Sequence, residues 1–226
     1  MNLEYPLFLI NYKLYEGTVG EEGLAYARTV QRVMEDAGAR FALAPGTPDL
    51  RLVAENADVP VVAQAVDPVE TGRGTGAVLP EAVREAGAEA VLVDHPEHRE
   101  TLDGVERVID RCRAVGLDTI VCADGVEAAR AVLAFDPDCL LFENPADVAT
   151  GRAITRTHPE RVESVVESVA AENPRTKVLV GGGITDPEDV ARGFELGADA
   201  AGAASAALGA DDREAWLRGI AGAMPP

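Results

Sequence analysis

Eight short apolar runs, each followed by a stretch with helical spacing, fill this 226-residue chain, and that alternation restricts its fold more than any other feature. The runs are Leu7–Asn11, Phe41–Ala44, Val61–Ala65, Ala90–Val93, Thr119–Cys122, Cys139–Phe142, Lys177–Val180 and Ala200–Ala203. Helix-period segments lie near 19–37, 48–57, 80–87, 101–115, 125–135, 159–171, 187–197 and 211–222. Most runs lack apolar–polar alternation, the pattern of parallel strands buried on both faces. Ala-Gly-Ala-Arg before Phe41, Ala-Gly-Ala-Glu before Ala90 and Leu-Gly-Ala-Asp before Ala200 share a helix-exit signature, with glycine as the left-handed cap.

Eight strand–helix units predict one (β/α)8 barrel over residues 1–226, in the α/β class. The length is short for that fold, so several helices must be brief; between Cys122 and Cys139 there is room for about three turns. The competing arrangement is an open, doubly wound sheet. No G-x-G-x-x-G follows the first run, which counts against its nucleotide-binding version. Ala200–Ala203 has poor β propensity, and its small residues are expected to let backbone approach a ligand.

Charge narrows the partners. The chain carries 39 acidic and 20 basic residues, a formal net charge of -19, and only two of the basic residues are lysines, Lys13 and Lys177. That balance argues against nucleic acid or an anionic membrane as partner. A surface so charged repels itself unless salt screens it, over about 10 Å at 0.1 M and about 3 Å at 1 M. In this it resembles cytoplasmic proteins of haloarchaea, built for concentrated salt. Cys112, Cys122 and Cys139 form no disulfide framework or metal-knuckle spacing. No run reaches the roughly 20 apolar residues of a membrane span, and the N-terminus lacks a signal-peptide layout, so the expectation is a cytoplasmic protein.

In a barrel the chemistry gathers at the C-terminal ends of the strands. Asn11 and Lys13 follow the first run, His95 the fourth, Glu143 the sixth, Gly181-Gly182-Gly183 the seventh, and Ala204-Ser205 the eighth. Lys13 is placed to stabilise an anion, with Asn11 holding it or the ligand. His95 fits a proton donor, and Glu143 a general base entering the mouth. Glu97 and Arg99 are read as ordering the His95 segment, while His98 and His158 read as exposed. Residues 144–151 read as a short loop with a hinge at each end. The glycines and the small-residue segment after the last run form an expected anion cradle, completed by the start of a short helix.

Taken together, Asn11-Tyr12-Lys13, His95-Pro96-Glu97-His98-Arg99, Glu143 with a loop ending Thr150-Gly151, Gly181-Gly182-Gly183-Ile184 and Ala204-Ser205 resemble the triosephosphate isomerase family, in particular its short archaeal form. The resemblance covers nearly the whole chain and implies a TIM barrel acting in glycolysis and gluconeogenesis. It implies interconversion of dihydroxyacetone phosphate and D-glyceraldehyde 3-phosphate without a cofactor or metal. Glu143 would carry the proton, His95 would donate to the carbonyl oxygen, and Lys13 with Asn11 would hold negative charge. Backbone amides around Val148, Gly183, Ala204 and Ser205 would hold the phosphate, and a homotetramer or homodimer would be the working assembly.

Three positions depart from the family pattern. Pro96 stands where serine usually follows the histidine; Asn144 takes a position usually proline in archaeal relatives; Ala149 replaces the first glycine of a Gly-Thr-Gly loop end. A looser N-terminal hinge at Asn144 is the expectation. The alternatives are another phosphate-binding barrel, such as a sugar-phosphate epimerase, and a noncatalytic protein that binds phosphometabolites.

Overall fold

All eight runs form strands in the computed structural model, which describes residues 2–147 and 150–226. They are β1 (Leu7–Asn11), β2 (Phe41–Ala44), β3 (Val61–Ala63), β4 (Ala88–Val93), β5 (Asp118–Ala123), β6 (Cys139–Phe142), β7 (Lys177–Val180) and β8 (Ala200–Ala203). β4 starts two residues earlier than the apolar run because Gly87, at φ 99°, turns the chain straight into the strand. β3 stops two residues short of its run, at Ala63, so Gln64 belongs to the rim.

The helices are α1 (Gly20–Ala37), α2 (Leu50–Asn56), α3 (Pro80–Glu85), α4 (Leu102–Val115), α5 (Val126–Leu133), α6 (Ile154–Thr157), α7 (Pro159–Glu172), α8 (Pro187–Glu195), α9 (Ser205–Gly209) and α10 (Arg213–Ala223). Brevity is how the chain fits: α3 has 6 residues, and α5 has 8 where spacing left room for about three turns. α6 had no counterpart among the predicted helices, being a single turn of 4 residues. Local chemistry sets several ends. Gly38 caps α1 in the left-handed conformation, Thr101 accepts from Gly104 N at the start of α4, and Asp186 and Asp212 do the same for α8 and α10.

Neighbouring strands pair in parallel all the way round, and β8 returns to β1 through Leu7↔Ala200 to Ile10↔Ala203, closing the barrel. The open-sheet alternative is thereby excluded. Successive strand residues face opposite ways, so each run feeds two cores. Leu7 and Leu9 join Ala42, Ala90, Ile120 and Leu179 inside the barrel. Phe8 and Ile10 point outward into the layer beneath the helices, where Phe8 meets Phe41 and Trp216 edge-on at 5.9 Å each and ties α10 to the sheet. Burial on both faces explains why the runs showed no alternation. Among the described residues, no helix is long and apolar enough to cross a membrane.

Candidate active site

The strand ends open into a pocket lined by Asn11, Lys13, His95, Glu143, Gly183, Ala204 and Ser205 among others. Leu9, Leu92, Leu141 and Leu179 supply its apolar floor. Seven of the eight residues to which the family resemblance gives a role therefore meet at one mouth. The eighth, Val148, lies outside the described residues, as does Ala149.

Lys13 leaves β1 with a left-handed φ of 46°, a conformation that side-chain-bearing residues seldom adopt. Its backbone is held from both sides. The Lys13 N–H donates to Asn11 Oδ1 at 2.9 Å, and Gln64 Nε2 donates to the carbonyls of Lys13 at 3.1 Å and Ala44 at 3.0 Å. Lys13 Nζ pairs with Glu97 Oε1 at 2.7 Å. Gln64 escaped the sequence reading because it stands inside a run that looked like strand; a polar side chain ending an apolar run was the available signal.

His95 follows Asp94, whose φ of 58° bends the chain over the rim and whose Oδ1 accepts from the Glu100 N–H at 2.8 Å. The Glu97 N–H donates to His95 Nδ1 at 3.1 Å, which leaves the ring proton on Nε2. Nε2 lies 3.7 Å from Glu143 Oε1. Burial first, then the neighbouring Lys13 charge, lowers the imidazole to about 4, so the ring is neutral at pH 7. Of the other histidines, His98 is exposed, while His158 is half-buried at the N-cap of α7.

Glu143 caps β6 and is buried, at 6% exposure. Burial raises its carboxyl to about 6, opposed by Lys13 and assisted by Glu97. Oε1 has no hydrogen-bond partner although it is shut away from solvent. A buried, unpartnered carboxylate oxygen beside a neutral imidazole is held ready for a ligand atom. The glycines after β7 make room for it: a Cβ on Gly181 would lie 3.2 Å from Glu143 Oε2, and one on Gly182 3.2 Å from Glu143 Cβ. Gly183, at φ 72°, packs against the chain just past the 144–151 segment; a Cβ there would lie 2.3 Å from the Arg152 carbonyl oxygen.

The start of that segment is hydrogen-bonded through side chains. Asn144 Oδ1 accepts from the Ala146 N–H at 3.2 Å, and Asn144 Nδ2 donates to Asp147 Oδ2 at 3.0 Å. Asp147, itself buried, also accepts Thr157 Oγ1 at 3.3 Å, and its carbonyl accepts Thr150 Oγ1 at 2.7 Å. Asn144 thus bonds the start of the segment through its side chain, at the position where the family pattern has proline.

A family model described as triosephosphate isomerase matches residues 6–221. A triosephosphate isomerase of Methanopyrus kandleri is 42% identical over 223 residues, covering 97% of this chain and 99% of the relative. One of Methanocaldococcus jannaschii is 38% identical over 212 residues, covering 94% and 97%. The crystal structure of triosephosphate isomerase from Bartonella henselae superposes with a TM-score of 0.77 over 96% of this chain and 98% of that one; at 16% identity it speaks for the fold alone. With the family model spanning nearly the whole barrel and archaeal relatives matched end to end, the chain belongs to the triosephosphate isomerase family.

Proposed function

We propose that this chain interconverts dihydroxyacetone phosphate and D-glyceraldehyde 3-phosphate through an enediol(ate) intermediate. The observation that carries the reading is Glu143 Oε1, buried, without a partner and 3.7 Å from the Nε2 of a neutral His95. Glu143 takes the proton from the carbon beside the substrate carbonyl and returns it to the neighbouring carbon. His95 Nε2–H donates to the carbonyl oxygen as electrons move onto it, then relays a proton between the two oxygens of the intermediate. Lys13 offsets the negative charge on substrate and transition state, and Asn11 fixes the backbone that carries it. The amides of Gly183, Ala204 and Ser205 receive the phosphate, and Val148 is proposed to join them. Excluding water there protects the intermediate from losing phosphate.

The chain is proposed to work in the cytoplasm, in concentrated salt, as a homotetramer or homodimer; light scattering that found a monomer would overturn the assembly. The direct test is isomerase activity of wild type and Glu143→Asp across a wide range of salt. Shortening the side chain by one methylene withdraws the base by about 1 Å, and a loss of roughly 100-fold in kcat is expected. Wild-type inactivity at every salt concentration would overturn the assignment.

A further inference from the structure

We infer that Asp189 is a positioning residue for the phosphate side of the pocket, locking the loop after β7 to the helix that follows the 144–151 segment. The inference rests on the isomerase reading above. Asp189 sits in the first turn of α8 with 0% exposure, a carboxylate more deeply enclosed than the other buried acids Asp118, Glu143 and Asp147. Burial of such a group is costly unless it is bonded and paired, so its partners define what it is for.

Its side-chain partners are Thr185, which lines the pocket, and Arg156 on α6. Asp189 Oδ2 accepts from the Thr185 N–H at 3.0 Å and from Thr185 Oγ1 at 3.2 Å. The same oxygen accepts Arg156 Nη2 at 3.2 Å, and Oδ1 stands 2.8 Å from Arg156 Nε. Thr185 lines the pocket, two residues beyond Gly183. Arg156 lies on α6, directly after the 144–151 segment, and its Nη2 reaches back to the Gly151 carbonyl at 3.4 Å. A single carboxylate thus holds the two pieces of chain that meet where Gly183 packs on Arg152.

The helix does not need that carboxylate for its own sake. Asp186 already caps α8 by accepting the Asp189 N–H at 3.0 Å, and Val190 and Gly193 supply its buried face. Asp189 instead sets where Thr185 lies, and through two residues of chain where the Gly183 amide points. Amide donors bind a phosphate well only when they are fixed before it arrives. The chain's one tryptophan reports on this loop, because Trp216 Nε1 donates to the Thr185 carbonyl at 2.8 Å.

The test compares wild type, Asp189→Asn, Thr185→Val and Arg156→Met in two readouts. One is titration with inorganic phosphate followed by Trp216 emission; the other is the split of isomerase kinetics into kcat and KM. Asp189→Asn should weaken phosphate binding and raise KM by about tenfold while kcat stays within about threefold. Thr185→Val and Arg156→Met should move both in the same direction by smaller factors, about two- to fivefold. A part that only stabilised the fold would lower the melting temperature and leave phosphate affinity and KM of the folded protein where they were; that result would overturn the inference. Should Asp189→Asn fail to fold, unchanged phosphate affinity in both other variants would overturn it equally. An inactive wild type whose phosphate affinity still falls in the variants would remove the isomerase reading and leave the positioning role standing.

Discussion

Acidification should switch the enzyme off through one proton, and the structure says which. Glu143 is held up to about 6 by burial, and His95 is pushed down to about 4 by burial and by Lys13. With Glu143 as the base, its ionised fraction falls from about nine-tenths at pH 7 to about one-tenth at pH 5, so kcat/KM should fall roughly tenfold over that span. His95 stays neutral until well below pH 5, so the acid limb should have a slope of one. A phosphate monoester also titrates near 6, and a second variant separates the two sources. Glu97 raises the carboxyl of Glu143, so Glu97→Gln should carry the limb to lower pH, whereas a limb set by substrate ionisation would not move. Proton NMR of substrate and product gives initial rates without coupling enzymes at low pH. The fold should persist throughout, because the two shifts act on stability in opposite senses. Glu143 takes its proton earlier folded than unfolded and favours the fold as pH drops from about 6 through 4.5. His95 takes its proton later and disfavours the fold as pH drops from 6.5 toward about 4. Circular dichroism at pH 5 should therefore match that at pH 7. A two-proton limb beginning near 6.5, or a limb unmoved in Glu97→Gln, would refute the reasoning.

Three other outcomes are expected. Gly183→Ala places a methyl group against the Arg152 carbonyl at a left-handed φ, and should cost roughly 1–3 kcal/mol, read as a fall in melting temperature; an unchanged melt would refute that packing. Raising potassium chloride from 0.1 M to 3 M should raise the melting temperature of a chain with net charge -19, and maximum stability in dilute buffer would refute the salt argument. Asn144→Ala removes the acceptor of the Ala146 N–H, so that amide should exchange about fivefold faster, as the loss of one hydrogen bond of about 1 kcal/mol predicts; unchanged protection would show that the bond does not restrain the segment.

The strand order was readable because burial on two faces leaves a plain mark. Cys139–Phe142 is apolar at every position and flanked by Asp138 and Glu143, and its bounds are those of β6. Ala200–Ala203 was placed by its turn in the sequence of units rather than by propensity, and the barrel explains its composition. A Cβ on Gly202 would lie 3.0 Å from the Leu9 carbonyl oxygen, so the strand beside β1 has little room for side chains. The catalytic candidates were readable for a similar reason: Lys13, His95 and Glu143 are charged or polar side chains set at the ends of apolar runs. Asp189 was not readable. An aspartate in the first turn of a helix has the same letters whether it faces water or, as here, is fully enclosed, and only the third dimension brings Arg156 and Thr185 to it. The Lys13–Glu97 pair also escaped, since 84 residues separate its members.

The seam between β1 and β8 has a consequence for how the molecule is made. Leu7 pairs with Ala200, so the barrel's first strand waits for its last before its outer edge is covered. Until then a nascent chain carries two open parallel edges, on β1 and β7, each able to recruit a strand from a neighbouring chain. Pairings so distant in sequence are slow to form. For a growing chain, the dangerous interval lasts until Ala200–Ala203 clears the exit tunnel, and a stall in translation before that point should yield aggregate rather than a smaller working barrel.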